Sequence, residues 1–475
     1  MPVDTAKLHH FLSDLLGTSG VIDDPAGYSR YTTDWAGDRR GDPLLVARPR
    51  TTDEVATIVT YCHDQGVPMV VQGGHTGLVG GAQPDAERPE LVISLERLSR
   101  IRAIDPLNFT ISVDAGCVLQ AVKDAAAEYD CDFPLSLGAQ GSCQIGGNIA
   151  TNAGGINVLR HGMMRHLVLG LEVVLPDGRV WNAMHALHKD NRGYDLKQLF
   201  IGAEGTLGIV TGAVLKLTPR PQATRTALIA VPDVPAALAL YGQARRSCCD
   251  LLSAFELIPR ACLELAFEAD PDLPDPLDTA YPVYVLLEVA ASGPVDLDAM
   301  IGQLFEDGMQ AGQILDGVLA GSGVQAERLW QIRERMVEGQ QQRGEHLRTD
   351  IALPISALSD FFDVASQAVA QHSPKTTVIA YGHIGDGNLH FNLLPPAELE
   401  LAAKKALLHE LESTLFALVD EYHGSISAEH GIGRIKQTPY LAGLAPVERE
   451  LLEGIKRLVD PDELMNAGRI LPRRA

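Results

Sequence analysis

Two histidines seven residues apart flank a glycine-rich stretch late in the chain: His383 and His390 enclose the sequence Ile-Gly-Asp-Gly-Asn-Leu. Gly385 and Gly387 exclude a helix through this stretch. The apolar runs on either side instead predict the two strands of a hairpin, with Gly-Asp-Gly-Asn as its turn. Such a hairpin brings the two rings together, and neighbouring neutral imidazoles suit a borderline cation such as Zn²⁺. Histidines that only cap a turn fit the same spacing.

A third ligand is needed for a metal site of this kind, and the sequence Ser-Ala-Glu-His-Gly-Ile-Gly offers Glu429, with His430 directly after it. Two histidines and one carboxylate with an open position are typical of catalytic zinc. An imidazole beside such a metal can take a proton from a bound hydroxyl, which is a role open to His430. A Glu429 that is merely solvated is the alternative.

Three glycine-rich segments lie in the first half of the chain, at 72–81, 134–155 and 189–211. The first follows a predicted strand, and glycines there would let backbone amides approach a phosphate. It is not a Rossmann fingerprint, because Pro84 and Pro89 interrupt the helix that should follow. A single loop of this kind also fits a plain surface turn. Three of them together predict a backbone wrapped closely around a large flat ligand.

The elements around these segments are well marked in the sequence. Thr51 and Glu54 predict a capping box at the start of a helix that Gly66 ends. The residues Val-Pro-Met-Val-Val at 67–71 follow as a strand that leads into the first glycine-rich segment. Further strands are predicted at 91–95, 110–113 and 170–175.

Length and composition limit the class of protein. The 475 residues predict two or three domains, and Pro219 and Pro221 mark a boundary after which helix and strand patterns alternate. The net charge of -22 argues against nucleic acid and against an anionic membrane surface as partner. No apolar run has the length of a bilayer span, and the seven cysteines show no Cys-x-x-Cys spacing. We therefore predict a reduced, cytoplasmic enzyme.

The three glycine-rich segments together resemble the flavin domain of the FAD-linked oxidases of vanillyl-alcohol oxidase type. Over nearly the whole chain the resemblance is to their D-2-hydroxy-acid dehydrogenase branch, nearest to the members that act on D-2-hydroxyglutarate. It implies an α+β fold in three parts: a two-subdomain FAD-binding domain of PCMH type at 1–220, a substrate- and metal-binding α+β domain with an antiparallel sheet at 221–425, and a C-terminal helical segment at 426–475 that returns to the flavin.

The resemblance also implies the cofactors and the residues that hold them. FAD is expected to be bound non-covalently by residues of the glycine-rich segments and the tail: Gly73, Gly74, His75, Thr76, Gly77, Gly138, Ser142, Asn148, Thr151, Ala153, Gly154, Gly205, Ile209 and Asn466. Zinc, or a similar divalent ion, is expected at His383, His390 and Glu429, with His430 as the catalytic base. His75 is a departure, because the nearest relatives usually have asparagine there. In other branches a histidine after Gly-Gly carries a covalent flavin, so a covalent link at His75 stays an alternative.

Substrate binding follows from the same resemblance, which assigns Arg333 as a clamp for the substrate carboxylate. Asn392, two residues past His390, is placed to hydrogen-bond the substrate. Two positions depart from the branch: Val337 replaces a hydroxyl residue and Arg348 replaces a lysine, where relatives hold a distal carboxylate. Arg348 keeps the charge, whereas Val337 adds an apolar wall. D-Lactate, or another apolar or aromatic D-2-hydroxy acid, is therefore a serious alternative to D-2-hydroxyglutarate.

We thus predict an FAD- and zinc-dependent dehydrogenase that oxidises a D-2-hydroxy acid to the 2-oxo acid. His430 would remove the proton of the metal-bound hydroxyl, and hydride would pass to the flavin. The expected electron acceptor is an electron-transfer flavoprotein or a quinone rather than a nicotinamide, and a homodimer is the default assembly. The alternatives are direct reduction of oxygen, a flavin-free metallohydrolase and a non-catalytic flavoprotein subunit.

Overall fold

The computed structural model describes residues 3–35, 37 and 41–474 of the chain. The chain folds into two compact units. The first comprises Met1–Gly155, His161–Arg220 and Glu429–Ala475, and the second comprises Ile156–Arg160 and Pro221–Ala428. The first unit therefore contains the three glycine-rich segments together with the C-terminal tail, and the second contains the hairpin of His383 and His390.

Helices and strands are mixed along both units. The α-helices are α1 (Thr5–Leu16), α2 (Ser29–Thr32), α3 (Thr52–Gln65), α4 (Leu119–Ala127), α5 (Ile145–Ala150), α6 (Val158–His161), α7 (Met164–Leu167), α8 (Val234–Ser247), α9 (Arg260–Ala269), α10 (Leu297–Gln310), α11 (Gly323–Gln342), α12 (Leu358–His372), α13 (Leu401–Glu421), α14 (Gln437–Gly443) and α15 (Pro446–Val459). The β-strands are β1 (Val21–Ile22), β2 (Val46–Ala47), β3 (Met69–Gln72), β4 (Leu91–Ser94), β5 (Ile101–Asp105), β6 (Thr110–Asp114), β7 (Cys131–Asp132), β8 (Val168–Val174), β9 (Val180–Ala183), β10 (Ile209–Lys216), β11 (Thr218–Pro219), β12 (Ala223–Val231), β13 (Leu252–Pro259), β14 (Val283–Ala291), β15 (Asp316–Leu319), β16 (Ile351–Ala352), β17 (Thr377–Tyr381) and β18 (Asn388–Leu394).

Helix α3 has the ends that its sequence predicts. The hydroxyl of Thr51 accepts a hydrogen bond from the backbone N–H of Glu54 (3.1 Å), and Gly66 ends the helix in the left-handed conformation at φ 65°. The carboxylate of Glu54 accepts from the N–H of Arg50 (2.6 Å) rather than from Thr51 itself. Because both ends are fixed locally, strand β3 and the glycine-rich loop after it start at a defined point.

Two sheets form the framework of the first unit. One has the strand order β1-β2-β4-β3, with β4 parallel to both of its neighbours. The other is antiparallel throughout, in the order β5-β6-β10-β8-β9. The strands predicted at 67–71, 91–95, 110–113 and 170–175 are confirmed as β3, β4, β6 and β8.

The second unit is built on an antiparallel sheet with the order β13-β14-β12-β15, as expected for a substrate domain. The central strand β14 alternates between two apolar cores, because successive side chains of a strand point to opposite faces. Val285 and Leu287 join the core that includes α8 and α10, whereas Tyr284 and Leu286 join the core that includes α9 and α11. A smaller antiparallel sheet, β16-β18-β17, carries the histidine hairpin.

Two further predictions concern membranes and cysteines. Among the described residues, no helix combines the length and apolar character needed to cross a membrane. All seven cysteines lie in the described part of the chain, and none of them forms a disulfide.

Candidate active site

A cavity of about 320 Å³ in the first unit is lined by all three glycine-rich segments and by the C-terminal tail. It brings together most of the residues expected to bind FAD: Gly73, Gly74, His75, Thr76, Gly77, Gly138, Asn148, Thr151, Ala153, Gly154, Gly205 and Asn466. Two expected residues lie outside the lining. Ser142 is exposed and its hydroxyl donates to the carbonyl of Ala139 (3.3 Å), and Ile209 is buried in β10. Glu429 and His430 also line this cavity.

Some glycines of the cavity wall are needed because two stretches of backbone touch there. A Cβ on Gly74 would lie 2.1 Å from the carbonyl oxygen of Ser142, which is closer than any side chain tolerates. Gly205 has φ 72°, and a Cβ there would lie 2.7 Å from Val71 Cγ1 and 2.8 Å from Asn466 Nδ2. Gly74 therefore lets the first and second glycine-rich segments meet at backbone contact distance, and Gly205 leaves room for the side chains of Val71 and Asn466.

Other glycines of the wall leave space instead of filling it. A Cβ on Gly77, Gly138 or Gly147 would meet no other described atom within 4 Å. None of these three has the positive φ that would demand glycine for its own backbone. Small residues at these points are thus explained by a ligand that approaches the backbone amides closely.

Three buried polar atoms on the cavity wall point to the same ligand. Nε2 of His75, Oε1 of Gln144 and Oδ1 of Asn148 have no hydrogen-bond partner among the described residues. Leaving such an atom without a partner costs about 1–3 kcal/mol, so a bound molecule with both donors and acceptors is expected to satisfy them. The glycines with free space beside them and these three polar atoms fit FAD. Its pyrophosphate accepts hydrogen bonds from backbone amides, and its ring system offers both hydrogen-bond donors and acceptors.

His75 has a backbone conformation that favours asparagine, the residue that the nearest relatives usually have at this position. Its φ is 55°, in the left-handed region that asparagine adopts more readily than most residues. Its Nδ1 lies 3.3 Å from the carbonyl oxygen of Arg30, and burial lowers the pKa of the ring. A neutral imidazole with Nε2 on the cavity wall is compatible with either form of flavin attachment, and the non-covalent form stays our prediction.

Replacing Gly74 by alanine should abolish flavin binding, because the added methyl would displace Ser142 and with it Cys143, which lines the cavity. We expect purified Gly74→Ala to contain less than about a tenth of the wild-type flavin, since overpacking by one carbon costs about 1–3 kcal/mol or more. The ratio of flavin absorbance to protein absorbance measures this directly. Gly141→Ala, where a Cβ meets no described atom within 4 Å, is the matched control and should retain its flavin.

Asn466 fastens the C-terminal tail to the flavin domain. Its side-chain oxygen accepts from the backbone N–H of Val71 (3.0 Å), and its Nδ2 donates to the carbonyl of Glu204 (2.8 Å). Its own N–H donates to the carbonyl of Met69 (2.9 Å). One side chain thus joins strand β3, the third glycine-rich segment and the tail around the cavity.

Glu204 is a second fastening point, and sequence reasoning missed it. Its carboxylate accepts from the backbone N–H groups of Ile432 (2.7 Å) and Gly433 (2.8 Å), two and three residues after His430. Burial raises the pKa of Glu204, and the two backbone hydrogen bonds oppose this only in part. Because the segment is held immediately beyond Glu429 and His430, Glu204 positions both side chains at the cavity. An acidic residue between Ala203 and Gly205, in a segment otherwise apolar and small, was the available signal.

The predicted histidine hairpin is present in the second unit. Strands β17 and β18 pair antiparallel, with Tyr381 opposite His390. His383 lies in the connecting loop, two residues beyond the end of β17. The centroids of the two imidazole rings are 5.9 Å apart, at an interplanar angle of 74°. The hairpin therefore brings the rings into contact, as its spacing predicts.

Glu256, in the middle of strand β13, links the hairpin to Arg333. One carboxylate oxygen hydrogen-bonds Nδ1 of His383, and the other accepts from Nε of Arg333 (2.7 Å). Burial by itself raises the pKa of Glu256, but the charges and hydrogen bonds of His383 and Arg333 outweigh it and lower the pKa to about 2. With Nδ1 engaged, Nε2 is the nitrogen with which His383 would coordinate a metal. The signal missed in the sequence was a lone carboxylate inside the apolar run Leu252–Pro259.

Arg333 is held in place from two sides. Besides the bond to Glu256, its guanidinium carbon lies 4.6 Å from the centroid of the Tyr381 ring. Tyr381 in turn contacts His390, with the ring centroids 5.3 Å apart. Only 12% of the Arg333 side chain is exposed, so the cation is oriented rather than solvated. The structure thus brings Arg333, His383 and His390 together in one network.

Three further residues expected at the substrate also lie in the second unit. Asn392 is buried, where its side-chain oxygen accepts from the N–H of Thr349 (2.9 Å) and its Nδ2 donates to Gln340 (2.9 Å). Val337, on α11, is 36% exposed. Arg348 is exposed and donates from Nε to the ring of His346 (2.8 Å). Their roles in substrate binding stay predictions.

Comparison with protein families matches both parts of the chain. The FAD binding domain family matches residues 43–183, and the family of FAD linked oxidases, C-terminal domain, matches residues 220–470. Among solved structures, p-cresol methylhydroxylase with substrate bound aligns with a TM-score of 0.77 over 98% of this chain and 97% of its own, at 15% identity. At that identity the likeness concerns the fold alone, and it confirms the expected fold of vanillyl-alcohol oxidase type.

Named relatives are more similar in sequence. The mitochondrial D-2-hydroxyglutarate dehydrogenase of Bos taurus is 38% identical over 456 residues, which is 96% of this chain and 82% of its own. The D-2-hydroxyglutarate dehydrogenase of Xanthomonas citri pv. viticola is also 38% identical, over 94% of this chain and 93% of its own. Several named relatives, among them those of Bos taurus and of Oryza sativa subsp. indica, are mitochondrial by name, so the expected cytoplasmic location is not confirmed and stays a prediction. The chain belongs to the FAD-linked oxidases and, within them, to the group whose named relatives are D-2-hydroxyglutarate dehydrogenases.

Proposed function

We propose that this chain is an FAD-dependent dehydrogenase that oxidises a D-2-hydroxy acid, D-2-hydroxyglutarate first among them, to the 2-oxo acid. The observation that carries the proposal is Glu256, whose two oxygens hold a candidate metal ligand, His383, and a candidate carboxylate clamp, Arg333. A cation site next to a guanidinium suits a substrate that presents a hydroxyl and a carboxylate on neighbouring atoms. The names of relatives at 38% identity support the same substrate class.

We propose the following roles for the residues of this chain. His383, His390 and Glu429 would hold a divalent ion, His430 would take the hydroxyl proton, and the Arg333 guanidinium would bind a substrate carboxylate. When bound, FAD supplies the two-electron acceptor and the ion supplies positive charge beside the substrate oxygens. We further propose an electron-transfer flavoprotein or a quinone as the onward acceptor.

Anaerobic mixing of the flavin-loaded protein with D-2-hydroxyglutarate tests the reaction and the substrate together. We expect the visible flavin band to bleach with D-2-hydroxyglutarate, and not with its L enantiomer. Bleaching by D-lactate alone would mean that Val337 and Arg348 have changed the substrate specificity away from a distal carboxylate. A band that persists with every D-2-hydroxy acid would refute the dehydrogenase and favour a non-catalytic flavoprotein subunit.

The metal assignment is tested by Glu429→Gln. A neutral amide binds Zn²⁺ far less well than a carboxylate, so we expect the metal content of the purified protein to fall at least tenfold. The measurement is elemental analysis of wild type and variant after identical dialysis. Glu448→Gln, at an exposed position in α15, is the matched control and should leave the metal content unchanged. An unaltered metal content in Glu429→Gln would remove Glu429 from the ligand set.

A further inference from the structure

Helix α15, in the first unit, has two apolar faces, and only one of them packs on the unit. Ile455 and Val459 pack against the core of the first unit. Val447, Leu451 and Leu458 lie on another face, where 63%, 63% and 83% of their surfaces are exposed. Large apolar side chains scattered singly on a surface need no explanation, but a continuous row of them marks an interaction site.

The exposed face has a regular spacing. Val447, Leu451, Gly454 and Leu458 follow one another at intervals of four, three and four residues, which is the spacing of a coiled-coil seam. We name these four residues the α15 stripe. A Cβ on Gly454 would meet no described atom within 4 Å, so the centre of the stripe leaves room for another helix to approach closely.

The charges beside the α15 stripe indicate what covers it. Glu450 and Arg457 lie along the edge of the stripe that faces away from the core, and neither has an ion pair among the described residues. When a second α15 packs antiparallel, Leu451 faces Gly454 of the second copy, and Glu450 reaches Arg457 of the second copy. The same pair then forms again on the other side of the two-fold axis. A parallel pairing would instead set Glu450 against Ile455, which packs on its own core.

We propose that the α15 stripe is an isologous interface, through which two copies of this chain associate with antiparallel α15 helices. The helix carries three acidic residues (Glu448, Glu450 and Glu453) and three basic ones (Arg449, Lys456 and Arg457). It therefore lacks the basic face with which an amphipathic helix binds an anionic membrane. One helix pair buries less than a standard interface, so we expect a dissociation constant on the order of micromolar.

Sedimentation velocity of the full-length, flavin-loaded protein over a roughly hundredfold range of concentration tests the interface. We expect a monomer–dimer equilibrium in which Leu451→Arg raises the dissociation constant by about a hundredfold or more, because two like charges meet at the two-fold axis. Leu107→Arg, at a turn residue that is 92% exposed, is the matched control and should leave the dissociation constant unchanged. A protein that stays monomeric throughout the range, or a dimer that Leu451→Arg leaves intact, overturns the proposal.

A charge exchange tests the antiparallel register independently of the apolar contacts. Glu450→Arg and Arg457→Glu should each weaken the dimer, because each places like charges opposite one another twice. The double variant should restore the wild-type dissociation constant, since both pairs are re-formed with reversed sign. Single variants that dimerise like the wild type would overturn the register. Leu451-dependent binding to vesicles of anionic phospholipid, without dimerisation, would assign the stripe to a membrane and overturn the proposal.

Discussion

Replacing His430 by asparagine is expected to slow reduction of the flavin by a D-2-hydroxy acid by about 10²–10⁴-fold, the usual contribution of a general base. His430 lines the flavin cavity of the first unit, in the segment that Glu204 holds through the N–H groups of Ile432 and Gly433. Asparagine is polar and of similar size, but its amide does not take up a proton near neutral pH. Anaerobic stopped-flow absorbance measures the rate of flavin reduction directly.

The His430→Asn variant should remain folded and yellow, and this separates catalysis from cofactor binding. Its flavin-to-protein ratio and its melting temperature should equal those of the wild type. His423→Asn is the matched control, because His423 is exposed and its φ of 55° is one that asparagine tolerates. Flavin reduction at the wild-type rate in His430→Asn would remove His430 as the base. Loss of flavin from the variant would assign it to cofactor binding instead.

Replacing Arg469 by methionine is expected to destabilise the first unit by about 3–5 kcal/mol, because the buried Glu90 loses its bidentate partner and keeps only the longer ion pair with Arg434 (3.8 Å). Arg469 is wholly buried, and its Nη1 and Nη2 donate to the two carboxylate oxygens of Glu90 (2.5 and 2.7 Å). It also donates to the carbonyls of Gly81, Gln83 and Ala467. One side chain thus joins the tail to the end of the first glycine-rich segment. We expect the melting temperature of the flavin-loaded protein to fall by about 10 °C or more.

Two variants show whether the loss of the bidentate pair of Glu90 causes that destabilisation. In Glu90→Gln/Arg469→Met no buried charge is left alone, so the double variant should melt at a higher temperature than Arg469→Met. Arg474→Met removes an arginine whose pair with Glu463 is half exposed, and it should cost less than about 1 kcal/mol. A double variant no more stable than Arg469→Met would mean that lost packing and backbone contacts, rather than the charge of Glu90, dominate.

Features fixed by a few neighbouring residues could be predicted well. The capping of α3 depends on Thr51, Glu54 and Gly66, which lie within one helix length of each other. The hairpin of β17 and β18 follows from two apolar runs and the glycines between them, and it brings His383 and His390 to a ring separation of 5.9 Å. Local conformational preferences decide such features before any tertiary contact forms.

Features that depend on distant segments were missed for a physical reason. Glu256 is 127 residues from His383 and 77 from Arg333, and Glu204 is 228 residues from Ile432. A carboxylate in an apolar strand appears in the sequence only as an exception to the run of apolar residues. Its hydrogen-bond partners depend on how whole sheets pack together, which the local sequence does not indicate. The hydrogen-bond partners of Asn392, Thr349 and Gln340, are likewise 43 and 52 residues away along the chain.

The sequence by itself determined the family, the three glycine-rich segments of the cavity wall and the histidine hairpin, because glycine content and residue spacing act over short stretches of chain. Only the tertiary structure decided which carboxylate orients the hairpin and Arg333, and which residues fasten the tail beside the flavin cavity. It also decided that one apolar face of α15 packs inward while the α15 stripe stays exposed. Whether a side chain is buried or paired depends on the two surfaces that come into contact. These surfaces belong to segments that are distant in the sequence, so neither segment alone reveals the contact.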